Sequence, residues 1–261
     1  MIIKLPSATG TGDLEGFELS RSTSTGTTRQ TNVAMIQSRD ATVTGSQQAS
    51  DPAGKKTEMA HQLAIMAKAL KRDMETALCG AYAKVTGDAS TARQTRSFES
   101  WITSNDSRGS GGADGSASAA ATDGTQRALT EALLKAVLQT GFGNGAEIQM
   151  AICGPYNKGV ISGFTGRSQA RQFVDEKSIS ASASIYSSDF GEIKIVPSNF
   201  SRERSLLLVD PEYAKVSYLR DFESIDIANI GDAVTKLLLV EFGLEMCNEA
   251  AMGIVADLDT S

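Results

Sequence analysis

Residues 51–81 read DPAGKKTEMAHQLAIMAKALKRDMETALCGA. Apolar side chains recur in this stretch at steps of three and four, which places them on one face of an α-helix: Met59, Leu63, Met66, Leu70, Met74, Leu78 and Ala81. Asp51 can cap the first turn, Pro52 suits its first position, and Gly80 is the expected stop. The pattern predicts a spine helix over about residues 52–79, ~42 Å long at the standard rise. A single helix of that length is longer than a compact domain usually needs.

The stretch before this helix is rich in Ser, Thr and Gly, and its few apolar side chains alternate with polar ones. Phe17 and Leu19 alternate in this way, and so do Val33 and Met35, with Gly26 between the two pairs. The alternation predicts a long two-stranded ribbon. A lone hairpin with so little apolar surface is marginal in water. The ribbon must therefore lie against its own core or against a neighbouring copy.

The rest of the chain predicts helices first and a sheet later. The glycine-rich residues 108–123 predict a flexible loop, and helices follow from about residue 125 or 130 to 140 and from 155 to 161. Alternation or apolar runs predict strands at residues 150–153, 193–195, 206–209, 216–218, 240–246 and 254–258. The fold class is therefore α+β.

Composition excludes several classes of protein. The chain has 261 residues, with 25 Lys and Arg against 31 Asp and Glu, and a net charge of -6. A protein whose main task is to coat phosphates carries a surplus of cations instead. Cys79, Cys153 and Cys247 are odd in number and lack a CxxC spacing, so we expect a reduced, cytoplasmic chain. No apolar run approaches the ~20 residues that span a bilayer, and the first residues do not resemble a secretion signal.

Candidate sites all have simpler explanations. The stretch 54–57 (GKKT) resembles half of a phosphate-binding loop, but Ala49 stands where the first glycine belongs. His61 is the one histidine and has no nucleophile in a recognisable elbow. Cys79 and Cys153 lie in apolar patterns and are expected to be inert core thiols. The acidic groups are expected to be solvated or interface charges: Asp221, Glu223 and Asp226, and Asp257 and Asp259. We predict no catalytic residue, no cofactor and no metal site.

Six stretches, taken together and in order, are similar to one known family. They are residues 45–78, 122–134, 154–166, 187–204, 209–222 and 245–261. They resemble the tailed-bacteriophage major capsid proteins of the Hong Kong 97-type fold, in the branch typified by the major capsid protein of phage SU10. The resemblance covers most of the chain after Gly45.

The resemblance implies a division of the chain. In this division, residues 1–13 form an N-terminal arm and residues 14–44 form an extended E-loop hairpin. Residues 45–124 form a peripheral P-domain with the spine helix, residues 125–230 form an axial A-domain, and residues 231–261 form the closing strands of the P-domain.

The resemblance also implies a function. The chain would assemble with itself into hexamers and pentamers that form the DNA-containing head of a tailed phage or prophage. Portal, scaffold and decoration proteins are expected partners, and double-stranded DNA would be packaged without sequence-specific contact. No membrane is involved, and the expected location is the virion capsid, assembled in the host cytoplasm.

Charged residues suggest where copies meet. We expect Arg21, Arg29 and Arg39 of the ribbon to meet carboxylates of neighbouring spine or sheet surfaces. We expect Arg202, Glu203 and Arg204 to lie at another contact between subunits. Exposed ion pairs are individually weak, so many must act together.

Two alternatives remain at this stage. One is an encapsulin-like cellular shell, which shares the fold. The other is a soluble hydrolase with an unrecognised carboxylate pair, which a deep pocket holding two acids of raised pKa would support.

Overall fold

A computed structural model describes residues 29–50, 57–164, 185–229 and 231–261, with 12, 15, 16, 18 and 54 as isolated positions. Both helices and strands are present, as the sequence predicts. In chain order the elements are β1 (Met35–Thr44), α1 (Gly45–Ala49), α2 (Glu58–Leu78), α3 (Phe98–Trp101), β2 (Asp106–Ser107), α4 (Glu131–Gly143), β3 (Met150–Cys153), α5 (Pro155–Ser162), β4 (Ile185–Ser188), β5 (Gly191–Pro197), β6 (Leu206–Val209), β7 (Ala214–Ile227), β8 (Ala233–Met246), a 3₁₀ turn (Glu249–Ala251) and β9 (Gly253–Val255).

The spine helix is α2, and it is shorter than predicted. It has 21 residues and begins at Glu58, with Thr57 in the extended N-cap position. The predicted start near residue 52 is wrong because Gly54 has a φ of +81°, which a right-handed helix does not contain. Asp51 and Pro52 themselves lie outside the described residues. At the standard rise the helix is ~32 Å long.

The buried apolar side chains of α2 lie in the second half of the helix. Leu70 and Met74 are buried, whereas Met59 and Leu63 nearer the start are only half-buried. The apolar face predicted from the sequence is therefore real, but this chain covers only part of it.

The first sheet has three antiparallel strands in the order β1-β8-β7. The register of β1 on β8 runs from Met35 opposite Phe242 to Thr44 opposite Ala233. β1 thus lies against its own chain, which is one of the two alternatives that the ribbon prediction left open. The other predicted arm, with Phe17 and Leu19, lies outside the described residues.

The two long strands of this sheet pair irregularly. β7 and β8 each have 14 residues. Register shifts fall between Tyr218 and Arg220 and between Arg220 and Glu223. Such bulges increase the local twist and interrupt the edge of a sheet.

The second sheet has six strands in the order β2-β9-β6-β3-β5-β4. Its apolar core includes Leu134, Val137 and Leu138 of α4. Of the two helix starts considered, the later one is observed, because the Thr130 hydroxyl accepts a hydrogen bond from the Leu133 N–H and caps α4.

The sheets cross the predicted divisions of the chain. β7 lies within residues 125–230 but pairs with β8 of the closing strands. β9 lies within residues 231–261 but pairs with β2 and β6 in the six-stranded sheet. Strand pairing over such distances depends on tertiary structure, which local sequence patterns do not report.

The glycine-rich loop at residues 108–123 is anchored rather than flexible. The backbone N–H groups of Gly109 and Gly124 donate to the two carboxylate oxygens of Asp257, at 3.0 and 2.8 Å. A side chain at Gly124 would meet the Gly112 N atom at 2.6 Å, so the loop needs glycine there for close approach. Asp257 is 2% exposed, which corrects its predicted place among the solvated or interface charges.

Candidate assembly surface

The three-stranded sheet has one face covered by α2 and one that α2 does not reach. Gln37 and Arg39 of β1 hydrogen-bond to Asp73 of α2, which fixes the covered face. Residues directly opposite each other in a ladder share a face. The register therefore defines the other face, called the outer face from here on, as Ile36, Ser38, Asp40 and Thr42 of β1, Thr235, Leu237, Leu239 and Glu241 of β8, and Arg220, Glu223, Ile225 and Ile227 of β7.

The outer face carries an apolar strip. Leu237, Leu239 and Ile225 are half-buried, and Ile227 is 41% exposed. Among the described helices, α2 is the one that packs along this sheet, and it lies on the opposite face. Half-buried leucines without a covering layer are typical of a surface that another molecule covers.

One end of the outer face carries a group of ion-paired side chains around Glu241. Glu241 is buried, and its carboxylate ion-pairs with Arg93 at 2.6 Å and with Arg220 at 2.9 Å. Glu241 faces away from Val240 and Phe242, as the alternation of faces along a strand requires. Burial of the carboxylate was missed, although an acid within an apolar run is a signal of buried ion pairing.

The outer strand β7 is exposed on both faces. Residues 215–224 are all exposed, and Leu219 at 68% is the most exposed large apolar side chain among the described residues. A groove of about 340 Å³ separates β7 from the end of α2. It is lined by Lys71, Met74, Glu75, Leu78, Cys79, Phe98, Tyr218 and Phe222.

Arg39 does not need a neighbouring copy to find a carboxylate. Its Nε and Nη2 donate to the two oxygens of Asp73 at 2.7 and 2.9 Å. This bidentate contact raises the pKa of Arg39. The predicted kind of partner, a spine-helix acid, is found, but it belongs to the same chain. Arg29 is exposed, and Arg21 lies outside the described residues.

Arg202 also points into its own chain. Its Nη1 donates to Glu99 Oε1 at 2.8 Å, and its Nη2 donates to Asp123. Ser205 donates its hydroxyl to the other Glu99 oxygen at 2.9 Å. The Glu99 carboxylate is therefore buried with partners on both oxygens.

Arg204 closes the same network from the other side. It donates to the Gly124 carbonyl at 2.7 Å and to Asp257 at 3.2 Å. Both arginines that the sequence places at a contact between subunits thus have carboxylate partners within their own chain, and Glu203 between them is exposed.

The acids nearest to a catalytic pair are Asp106 and Asp114. Burial and the neighbouring Asp114 carboxylate raise the pKa of Asp106, and Arg108 opposes the shift. Arg108 Nε lies 2.6 Å from Asp114 and 3.5 Å from Asp106. Neither acid lines any of the three grooves formed by the described residues.

The other groups considered from the sequence are placed as follows. Burial raises the pKa of Cys79 to about 12 and of Cys153 to about 11, as inert thiols require. His61 is exposed. Within the described ranges, no three Asp, Glu, His or Cys side chains come together as metal ligands would. No helix among those described is long and apolar enough to cross a bilayer.

Comparison with solved structures places the fold among shell-forming subunits. The satellite phage P4 procapsid protein matches with a TM-score of 0.58 at 14% identity, over 98% of this chain and 82% of that chain. Gordonia phage Cozz matches with a TM-score of 0.58 at 13% identity, over 100% and 80%. The SrpI encapsulin of Synechococcus elongatus matches with a TM-score of 0.53 at 12% identity, over 87% and 75%. The fold alone therefore does not separate a phage shell from an encapsulin.

A match to a protein-family model distinguishes the phage shell from the encapsulin. The SU10 major capsid protein model matches residues 4–259, and the chain belongs to this family. The protein is a structural major capsid protein of a phage head shell, not an enzyme, and its place is the virion capsid. The resemblance read from the sequence is confirmed, and the hydrolase alternative is wrong. No match is found among curated proteins.

Proposed function

We propose that this capsid protein assembles into hexamers and pentamers, which close into the head of a tailed phage. The outer face of the three-stranded sheet is the observation that supports this best, because it carries an apolar strip on the side away from α2, beside an exposed strand. A shell of this kind needs the same surface to accept neighbours at slightly different angles. Broad sheet faces with mixed polar and apolar side chains suit that requirement.

We propose the following division of the chain, with the strands β7 and β9 crossing it as described. The N-terminal arm is residues 1–13, the E-loop is 14–44, the P-domain is 45–124 with the closing strands 231–261, and the A-domain is 125–230. The two separate apolar cores support a division into a spine-helix half and an α4 half.

The proposed partners besides other copies are portal, scaffold and decoration proteins and packaged double-stranded DNA. A net charge of -6 supports packaging without tight or sequence-specific contact, since a cationic lining would hold the phosphates. Assembly would take place in the host cytoplasm, with no membrane involved.

Three of the charged residues remain candidates for contacts between subunits. Arg29 and Glu203 are exposed, and Arg21 belongs to the same ribbon as Arg29. Arg39, Arg202 and Arg204 each have a carboxylate partner within the chain, so a contact with a neighbouring copy would be made in addition to these pairs.

Negative-stain microscopy of the purified protein tests the proposal. We expect closed shells with fivefold and sixfold capsomers. The variant Leu219→Glu places a charge on β7 where nothing in the described chain is packed, so it should fold as the parent does but form fewer shells. A compact monomer at high concentration, with no larger species by light scattering, contradicts the proposal.

A further inference from the structure

The end of α4 holds the one Asn–Gly pair of the chain, Asn144 and Gly145. Both residues are exposed, and Gly145 has a φ of +82°. The N–H of Gly145 donates to the Phe142 carbonyl at 3.0 Å, and the N–H of Ala146 donates to the Gly141 carbonyl at 2.9 Å. These two bonds form a Schellman motif, which ends a helix at a left-handed glycine.

The side chain of Asn144 is held by a second asparagine. Its Nδ2 donates to Asn105 Oδ1 at 2.6 Å. Asn105 is fully buried, and its own Nδ2 donates to the carbonyls of Ala250 and Met252 at 2.7 and 2.8 Å. These two donated bonds fix the orientation of the Asn105 amide, so that its oxygen faces Asn144. Position 144 must therefore supply an N–H donor.

An Asn–Gly pair is prone to a covalent change whose one co-reactant is water. The backbone N atom of Gly145 attacks Asn144 Cγ, the bond from Cγ to Nδ2 breaks, and ammonia leaves with the proton that the backbone N atom has lost. A five-membered succinimide ring remains. Water then opens the ring at either carbonyl and leaves aspartate or isoaspartate at position 144. Glycine favours the attack because it has no Cβ to hinder its N atom.

The native geometry opposes closure of this ring. At the Asn144 ψ of 2°, the Gly145 N atom eclipses the backbone N atom of Asn144 rather than its Cβ, so the attacking atom is turned away from Cγ. The N–H of Gly145 is also engaged with Phe142, and the amide that must leave is engaged with Asn105. The end of α4 must therefore open locally before the ring can form.

We propose that Asn144 is a deamidation site, and that its hydrogen bond to Asn105 together with the Schellman motif keeps the site closed in the native fold. The fold also requires the amide to remain intact. A carboxylate at position 144 has no N–H to donate and places a negative charge against the Asn105 oxygen. That buried acceptor is then left without a donor, which destabilises the junction of α4 with Ala250 and Met252.

Peptide mapping by mass spectrometry measures the reaction in the whole chain. At pH 8, aspartate and isoaspartate should form at Asn144 at least about fivefold faster in guanidinium chloride than in the native protein, because two hydrogen bonds must break before the ring can close. Equal rates in the folded and the unfolded chain overturn the proposal.

A pair of variants isolates the contribution of the side-chain hydrogen bond. Asn105→Ala removes the acceptor and should raise the native rate at Asn144 about 2- to 10-fold. Asn105→Asp is the matched control, because it also loses the donors to Ala250 and Met252 but keeps an oxygen facing Asn144, and it should raise the rate less. A folded Asn105→Ala variant with the parent's rate overturns the role of this bond. If either variant fails to fold, the comparison of native and unfolded parent decides.

The variant Asn144→Asp reproduces one product of the reaction. It should unfold at a lower urea concentration than the parent at pH 7. Below pH ~4 the new carboxyl group is protonated and can donate to the Asn105 oxygen, so the difference from the parent should shrink. An Asn144→Asp variant as stable as the parent at pH 7 would show that the fold does not require the amide, and this part of the proposal would be overturned.

Discussion

Replacing Asp257 with alanine removes the carboxylate that anchors the loop at residues 108–123. Two backbone N–H groups, of Gly109 and Gly124, lose an ionised acceptor, at ~1.5–3 kcal/mol each. Arg204 keeps its bonds to Asp123 and to the Gly124 carbonyl, so its contribution to the loss is small. Asp257 also has a φ of +58°, where alanine costs ~1–2 kcal/mol.

These contributions sum to about 4–8 kcal/mol, and partial access of water to the loop reduces the expected loss to about 3–5 kcal/mol. That is a large part of the ~5–15 kcal/mol by which a typical domain is stable. Asp257→Gly should be about 1 kcal/mol less damaging than Asp257→Ala, because glycine accepts the left-handed backbone. Asp257→Asn retains one acceptor and should cost about 1–3 kcal/mol.

Urea unfolding at one fixed protein concentration measures these differences, since self-association also stabilises the folded chain. Amide hydrogen exchange adds a local measurement: Gly109 and Gly124 should lose protection before the six-stranded sheet does. Asp259→Ala, two positions along and without a side-chain hydrogen bond in the described structure, should stay within ~0.5 kcal/mol of the parent. An Asp257→Ala variant as stable as this control, with both amides still protected, would show that the carboxylate does not anchor the loop.

Three further outcomes are expected. At pH 8 a thiol reagent should modify Cys247 in the native protein but not Cys79 or Cys153. The raised pKa values of Cys79 and Cys153, about 12 and about 11, keep both thiols protonated at this pH. Fast labelling of all three cysteines would contradict the expectation. Hydrogen bonds from Ser90 and Thr91 lower the pKa of Asp88 to about 2. The stability that the Asp88 carboxylate contributes is therefore present above pH ~4 and is lost as the pH falls through 2. An Asp88 carboxyl group that titrates near pH ~4 by NMR contradicts this expectation. Leu70→Ala, at a fully buried position of α2, should cost ~2–5 kcal/mol by urea unfolding, whereas Met59→Ala, which is only half-buried, should cost clearly less.

Local patterns predicted the elements whose faces are settled within one strand or helix. Ile193 and Ile195 are buried in β5 while Glu192 and Lys194 are exposed, as alternation requires. The apolar run of β6 is buried throughout. In such elements the burial pattern and the sequence period carry the same information.

Long-range pairing was not predictable in this way. β1 alternates correctly, but nothing in its sequence selects β8, some 200 residues later, as its partner. The start of α2 was missed because the conformation of Gly54 overrides a plausible capping pattern around Asp51 and Pro52. Cap chemistry identifies a permitted helix start, and the surrounding chain decides whether it is used.

The arginines predicted at contacts between subunits show the same difference between local patterns and tertiary pairing. The sequence led us to expect Arg39 at carboxylates of a neighbouring spine or sheet surface, and the structure shows that the spine helix of the same chain already supplies one, Asp73. Arg202 and Arg204 were expected at a contact, whereas Glu99, Asp123 and Asp257 engage them inside the fold. Charge and spacing identify residues that need partners, but only the tertiary structure shows which partners the same chain already supplies.

The position of β9 makes completion of the second sheet depend on residues that are translated after all of its other strands. Residues 253–258 are buried, pair with β2 and β6, and supply Asp257 to the loop, yet they are synthesised after every strand that they contact. A ribosome that stops early releases a polypeptide with a gap in its second sheet and an untethered loop. Prematurely ended products should therefore be degraded rather than incorporated, which protects a growing particle from defective building blocks.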